Sequence, residues 1–466
     1  MSRTGEAAQT PYIKPLIDSI SAVPRAAFVG FRSRFDYARD MPHVPDLPPH
    51  LLGLDPALGR HIIDLHIWAV RQGLRGAAVE ALFDGFCQHL VVIGVPLWRG
   101  FVGMRTLHPQ WGGYGYTWRR DLNAISQDRF ERGSGTNPDW QVSPFNYLIN
   151  QSQLPDASGV ASLRRHLVGP AAQLDFPVLK GLAAAGATDY FAQFLRFGAE
   201  GDPSRGSGSA YSFATDRPDG FADNDLILLR AVLPVVSLAI MAQAGHVFAG
   251  SLLEAYLGGD AGRRVHAGAV ERGTVETIQA VLWYADIRGF TAIADAAPGP
   301  VLVELLDAVF ETLTAALRPR GGQVLKFLGD GMLAIFPSSR ATQDETCRRA
   351  LDSAIEAMAS LTALNQARHA AGKPIATVDL ALHIGEVLYG NVGAVDRLDF
   401  TVIGPAVNEV ARIEALCEPL GRSLLVSAEF AEAMSEQHRL EPIGRHELRG
   451  VRQAREIYGL VLGSAP

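Results

Sequence analysis

The C-terminal part of this chain predicts an α+β fold, and three observations carry that expectation. Residues 300–317 place Leu302, Leu305, Leu306, Val309, Phe310 and Leu313 at helical spacing. Two short apolar runs, 324–328 and 332–336, flank Gly329-Asp330-Gly331, a turn that marks a hairpin. From residue 278 onward, strand-like and helical stretches alternate in the order βαββαβ, with additional elements after it.

Taken in order, 281–285 is expected as a strand, 300–317 as a helix, and 324–336 as the hairpin. A long helix over 345–368 and a strand over 378–384 complete the βαββαβ unit. Residues 400–403 give a further strand, after which Pro405 opens a helix running to Cys417. Proline suits that first position because its missing N–H would have had no helical partner there.

The front half is less regular. Residues 1–53 form an irregular leader ending in Pro42, Pro45, Pro48 and Pro49. Helical spacing follows over 56–90 (Ile62, Leu65, Ile67, Ala69, Val70, then Val79, Leu82, Phe83, Phe86). Strands are expected at 91–107, 115–118, 189–197 and 210–214, with a Gly/Ser/Pro-rich loop at 132–139. The turn Asp216-Arg217-Pro218-Asp219-Gly220 leads to Asp223 or Asn224 as the cap of a helix starting near Asp225. A polar linker, 258–273, carries Arg263, Arg264, Glu271 and Arg272.

Bulk properties narrow the function. At 466 residues the chain has room for two or three domains of roughly 100–200 residues each. With 48% hydrophobic and 20% charged residues it can bury sizeable cores. A formal charge of -7 argues against a nucleic-acid partner, which asks for a basic face. Cys87, Cys347 and Cys417 lie far apart, with neither a disulfide framework nor metal spacing, and the N-terminus has no apolar signal. A cytoplasmic location is the expectation. Residues 231–253 lack Asp, Glu, Lys and Arg but contain Pro234, Gln243, Gly245, His246 and Gly250. A buried or dimer-forming helix is expected there, with no membrane span.

The polar residues of the C-terminal part gain meaning from their spacing. Asp286 ends one strand and Asp330 sits in the hairpin tip, so neighbouring strands would bring both carboxylates to one sheet edge. Two divalent ions about 4 Å apart, held by such acids, can activate an attacking oxygen and neutralise a leaving one. Asn408 and Arg412, four apart on a helix, share a face. Taken singly, these are a surface turn acid, a strand-end acid and a solvated pair. Taken together, Ala285-Asp286-Ile287-Arg288-Gly289-Phe290-Thr291, Lys326-Phe327-Leu328-Gly329-Asp330-Gly331 and Thr401-Val402-Ile403-Gly404-Pro405-Ala406-Val407-Asn408 with Arg412 occur in a telling order. Over residues 278–466 the chain resembles the class III nucleotidyl cyclases.

That resemblance implies a ferredoxin-like catalytic domain that closes ATP to 3′,5′-cyclic AMP and pyrophosphate. It implies that Asp286 and Asp330, with the backbone of Ile287, hold two Mg²⁺ (or Mn²⁺) ions. Amides at Gly289, Phe290 and Thr291 would face the β- and γ-phosphates. Asn408 would orient the ribose, and Arg412 would stabilise charge on the α-phosphate. Lys326 donating to adenine N1 and Thr401 accepting from N6 point to ATP, because guanine reverses both groups. Asp399, on the same side of the strand as Thr401, is the fallback base contact, and Arg449 lies where cyclases often place a basic residue near the triphosphate; His383 and His446, without ligand-spaced partners, are expected to be structural. Thr at position 401 is similar to a subgroup described as bicarbonate-activated, so bicarbonate is a candidate effector. The family works as a head-to-tail homodimer, with the metal acids from one chain and Lys326, Thr401, Asn408 and Arg412 from the other.

The alternatives are a guanylate cyclase, disfavoured by Lys326 and Thr401, and a catalytically silent pseudo-cyclase scaffold, disfavoured because no site residue is missing. A diguanylate cyclase lacks support because Gly329-Asp330-Gly331 stands where its signature hairpin would be. In the front half, a helix, a set of strands and a closing helix after Ser212-Phe213-Ala214-Thr215 resemble a GAF-type sensor for an unknown small molecule. A mere dimerising module is the plainer reading. The expected plan is then a 1–53 leader, a 54–250 GAF-like α/β domain, a 251–277 transducer linker and a 278–466 catalytic domain.

Overall fold

The computed structural model describes residues 55–122, 124–133, 138–151, 159–197, 208–449 and 454–461. The expected leader, and part of the 132–139 loop, lie outside the described residues. The chain divides into two compact units, 1–64 and 65–466; the described part of the first is Asp55 and the opening of helix α1 (Pro56–Leu74).

The front half of the second unit is built on a six-stranded antiparallel sheet in the order β3-β2-β1-β6-β5-β4. Its strands are β1 (Arg99–Arg105), β2 (Trp111–Arg119), β3 (Ala124–Glu131), β4 (Val160–His166), β5 (Asp189–Arg196) and β6 (Gly208–Thr215). The strand expected at 91–107 starts only at Arg99, because helix α2 (Val79–Val92) extends through the first residues of that stretch. Its buried stripe of Leu82, Phe83, Phe86, Cys87 and Leu90 finishes in valines whose β-branching mimics a strand. Gly94, at φ 96°, then breaks the helix. The strands β3 and β4 were not expected, since β3 is almost wholly exposed and neither shows apolar alternation.

One face of this sheet packs on α2, where Gly100 lies against the Cys87 sulfur and the Phe83 ring. The other face packs on α4 (Pro144–Gln151) and α5 (Pro177–Ala184), with a small helix α3 (Pro138–Gln141) before them. There Leu148, Leu179 and Leu182 bury against Tyr190, Ala192 and Phe194.

Helix α6 (Asp223–Leu257) closes the front half. Neither Asp223 nor Asn224 caps it; Ala222 takes the cap position, and its N–H donates to Asp225 Oδ2 at 2.8 Å. The helix is long and apolar enough to cross a membrane by length and composition, but half of its most apolar stretch is buried inside the protein. Ser237 explains part of that burial, since its hydroxyl donates to Tyr211 Oη at 2.9 Å and lies 2.8 Å from Ser209 Oγ. Gly258, at φ 85°, then turns the chain, and α7 (Gly259–His266) packs against α6. The transducer linker, expected over 251–277 as helical and Gly-containing, holds the end of α6, the Gly258 turn and α7. The expected boundary at 250/251 falls inside α6, and that at 277/278 falls inside β7 (Val275–Ile287).

The remaining elements are α8 (Phe290–Ala296), α9 (Gly299–Leu317), β8 (Gln323–Leu328), β9 (Gly331–Ser338), α10 (Gln343–Ala370), β10 (Val378–Gly393), β11 (Leu398–Ile403), α11 (Pro405–Glu414), β12 (Leu424–Ser427), α12 (Ala428–Ala433), β13 (Leu440–His446) and β14 (Arg455–Leu460). They form an eight-stranded sheet in the order β13-β14-β12-β10-β7-β9-β8, with β11 paired to β10. At one end of this sheet, β10-β7-β9-β8 is the strand order of a βαββαβ unit, as expected. Helices α9 and α10 cover one face, where Leu305, Val309 and Leu313 meet Trp283, Leu351 and Leu382. Each of those fully buried aliphatic side chains contributes about 1.5–3 kcal/mol. The opposite face is closed by α11 through Val410 and Ile413 on Leu282, Leu333 and Leu425.

Candidate active site

The β7/β9 ladder pairs Ala285 with Met332, which sets the end of β7 beside the β8–β9 turn. Asp286 and Asp330 meet there. The approach is close enough that a Cβ at Gly331 would lie 2.8 Å from Asp286 Oδ1, so only glycine fits at that step. Burial first, then the Asp330 and Asp379 charges, push the Asp286 carboxyl up to about 6, against a stabilising hydrogen bond from the backbone of Ile287. The Ile287 side chain points into the core, so only its backbone is free to face a ligand.

Two acids that sequence reasoning did not single out belong to this cluster. Asp379 lies directly across the β7/β10 ladder from Asp286. It is almost fully buried and takes a forked bond from Arg288, Nε to Oδ2 at 2.8 Å and Nη2 to Oδ1 at 2.5 Å. Arg288 Nη2 also reaches the Arg422 carbonyl at 3.0 Å. Glu414, at the end of α11, is pushed up to about 7 by burial and by Asp286, Asp379 and Asp330, with Arg288 opposing. The visible signal was a lone acid in the otherwise apolar run Val378-Asp379-Leu380-Ala381-Leu382. Charged groups acting on Asp286 are thus all negative, a donor set that suits a hard divalent cation.

After Arg288, Gly289 adopts a left-handed turn at φ 66° and starts α8. The Phe290 ring packs on the core, leaving the backbone of Gly289, Phe290 and Thr291 as the part that can meet a phosphate.

A second cluster forms between β8 and β11. The Lys326 ammonium is ion-paired with Asp399, and Thr401, in the same strand and on the same face as Asp399, is buried. The third group lies on α11, where Asn408 is exposed and Arg412 half-buried. Among the described residues, no hydrogen bond or ion pair joins Asp286 or Asp330 to Lys326, Thr401, Asn408 or Arg412. The chain therefore brings its candidate residues together as separate groups. Arg449 is exposed.

His383 was expected to lack ligand-spaced partners, and the structure corrects this. Its ring, with Glu409 and Glu429, offers ligand atoms within 4.8 Å of one another. His383 Nδ1 lies 2.9 Å from Ser427 Oγ and 3.9 Å from Glu429 Oε2. Burial lowers its pKa to about 4, which keeps the imidazole neutral. A cation is already supplied by Arg455, whose Nε is 3.1 Å from Glu409 Oε1 and whose Nη1 is 3.6 Å from Glu429 Oε1. This half-buried polar group ties α11 to β14 and α12. His446 keeps a buried Nε2 without a hydrogen-bond partner among the described residues.

Residues 274–461 match the family described as the adenylate and guanylate cyclase catalytic domain. The chain is 29% identical over 181 residues to adenylate cyclase 1 of Rhizobium meliloti, covering 38% of this chain and 27% of that protein. It is 30% identical over 170 residues to an adenylate cyclase of Anabaena cylindrica, covering 36% and 33%. The matched part thus spans about a third or less of either relative. Among solved structures, a bacterial light-regulated adenylyl cyclase matches at 25% identity and TM-score 0.41, over 49% of this chain and 64% of that one. A guanylyl cyclase matches at 24% identity and TM-score 0.36, over 41% of this chain and 96% of that one. At these scores neither structure carries weight on substrate.

Proposed function

We propose that the chain is an adenylate cyclase, a phosphorus–oxygen lyase making cyclic AMP and pyrophosphate from ATP in a homodimer. The observation that carries this reading is the crowding of Asp286 and Asp330, with no ion-paired Lys or Arg among the described residues, in a segment that matches the cyclase catalytic domain. Asp286, Asp330 and the Ile287 carbonyl would hold two Mg²⁺ or Mn²⁺ ions. Such ions, when bound, acidify the ribose 3′-hydroxyl and neutralise the departing pyrophosphate.

The protein's own residues do the rest. Arg412 places a permanent cation at the α-phosphate, where charge grows in the transition state. Asn408 holds the ribose so that the 3′-oxygen lies in line with the α-phosphorus. Amides at Gly289, Phe290 and Thr291 receive the β- and γ-phosphate oxygens. An ammonium has three donors, so Lys326 can keep Asp399 and still donate to adenine N1. Thr401 accepts from N6. Because the acids and these groups make no contact within one chain, two chains arranged head to tail supply one complete site. Guanylate cyclase is the second reading, weakened by Lys326, which would oppose the N1–H donor of guanine.

The six-stranded front half is proposed as a GAF-type sensor acting through the α6–α7 hairpin in the cytoplasm, with bicarbonate among the candidate effectors. A direct test is the rate of pyrophosphate release with Mn²⁺ and either ATP or GTP. The reading requires ATP to be the better substrate; equal rates, or no turnover with either, would refute it.

A further inference from the structure

The α6–α7 hairpin brings two imidazoles together outside the proposed catalytic site. His246 Nε2 and His266 Nε2 lie 3.1 Å apart, with ring centroids at 4.2 Å. Two nitrogens bound to one tetrahedral Zn²⁺ at about 2.0–2.1 Å each would be roughly 3.3 Å apart. The two nitrogens therefore already stand near the spacing of a shared ion, and a modest turn of the exposed His246 ring would aim both at it. Two glycines permit this. A Cβ at Gly250 would lie 3.2 Å from both Cδ2 and Nε2 of His266, so the ring rests against bare backbone. A Cβ at Gly262 would lie 2.5 Å from the Glu254 backbone, so this glycine lets α7 press onto α6. Both imidazoles sit on helices, which hold ligands more rigidly than loops do. His246 is exposed and His266 half-buried, which leaves room for water to complete a coordination shell.

We propose that His246 and His266 form a binding site for a late first-row divalent transition ion, with Zn²⁺ as the type case. Imidazole suits Zn²⁺, Cu²⁺ and Ni²⁺, whereas the acids at Asp286 and Asp330 suit oxygen-loving Mg²⁺. Without the ion, one ring donates its Nε2–H to the other; binding requires the donor ring to carry its proton on Nδ1 instead. The bound ion would staple α7 to α6. Through α7 it would act on the catalytic sheet, because Tyr389 Oη donates to Asp260 Oδ2 at 3.0 Å and Arg264 Nη1 lies 2.5 Å from Glu276 Oε1. The site is independent of the cyclase reading and is tested without turnover.

The experiment is calorimetric titration of Zn²⁺ into full-length protein carrying Asp286→Asn and Asp330→Asn, which removes the acidic pair as a competing site. One ion per chain should bind. His246→Gln and His266→Gln should each weaken it by more than about tenfold, since even the loss of an outer-sphere partner costs 10–100-fold. His266→Cys, which keeps a zinc ligand, should restore binding, and His383→Gln should leave it unchanged. Absence of binding, or binding that survives both glutamine variants, would overturn the proposal, as would loss in His383→Gln alone.

Discussion

Arg288 engages both oxygens of Asp379, and Asp379 stands directly opposite Asp286 in the β7/β10 ladder. Of two facing acids, one is thereby neutralised and fixed, and the other is left for a ligand. Replacing Arg288 strands the almost fully buried Asp379 charge. Arg288→Ala should therefore cost about 3–5 kcal/mol of stability, the usual penalty for breaking a buried pair. Arg288→Ala with Asp379→Asn should recover most of it, read as the midpoint of urea denaturation. An additive double variant would show that the two do not act as a pair.

The raised carboxyl of Asp286 gives a signed pH dependence. Its folded value of about 6 exceeds the ordinary 3.8, so between those values the folded state holds the extra proton. Without metal, this group's contribution to stability falls as pH rises from about 4 to about 6. A divalent ion needs the deprotonated pair, so the thermal upshift produced by Mn²⁺ should grow across that same window and level off above it. Asp286→Asn should abolish the Mn²⁺ trend and weaken the metal-free one, to which the raised Glu414 carboxyl also contributes, in melting curves taken from pH 4 to 8. An Mn²⁺ upshift that is flat with pH would contradict the assignment.

Base choice has a complication that the ion pair reveals. Lys326→Glu alone would set a carboxylate against Asp399, its present partner. The inversion toward GTP should therefore need Lys326→Glu and Thr401→Cys together with Asp399→Asn. Sites that hydrogen-bond a substrate discriminate by up to about 10⁴–10⁵, so the ratio of kcat/KM for ATP over GTP should fall by orders of magnitude. A triple variant that keeps the parent ratio would show that these residues do not read the base.

Coupling of the hairpin to the sheet is testable at one hydroxyl. Tyr389 is buried and donates to Asp260, the residue that also takes Arg264 Nε at 2.7 Å. Tyr389→Phe removes a bond to a charged group, worth about 1.5–3 kcal/mol. Basal rate should change while KM for ATP stays constant. An unchanged rate together with a lowered melting temperature would reduce the contact to a structural one.

Much of the catalytic half was legible because its helices show one clean apolar stripe and its hairpin turns on Gly329-Asp330-Gly331. The ends of β7 and β10 were not, because Glu276, Thr277 and Gln279, then Glu386 and Asn391, interrupt the apolar run; only pairing with each other extends those strands. The linker was expected to be helical, but the bounds of α7 were not legible in a stretch with two glycines and two arginines, since its stability comes from packing on α6 and from the Asp260–Arg264 pair. Asp286, Asp330 and Lys326 were named from motifs, and the structure sets the two acids near one another and pairs Lys326 with Asp399. Asp379, Glu414 and the His383 cluster were missed because each acquires its role only from elements distant in sequence.

The central claim is that one site is built from two chains, and mixing defective proteins tests it most directly. Asp286→Ala should abolish activity, and Arg412→Ala should lower the rate by about 10²–10³. Each homodimer carries its defect in both sites. In a mixed dimer one site receives both defects and the other receives neither. Random pairing makes half of the dimers mixed with one good site each, so activity should return to about a quarter of the parent value, as two-fold symmetry requires. Recovery should track subunit exchange, followed independently by fluorescence transfer between labelled chains. A mixture that stays as inactive as its components after proven exchange would contradict a site shared between chains.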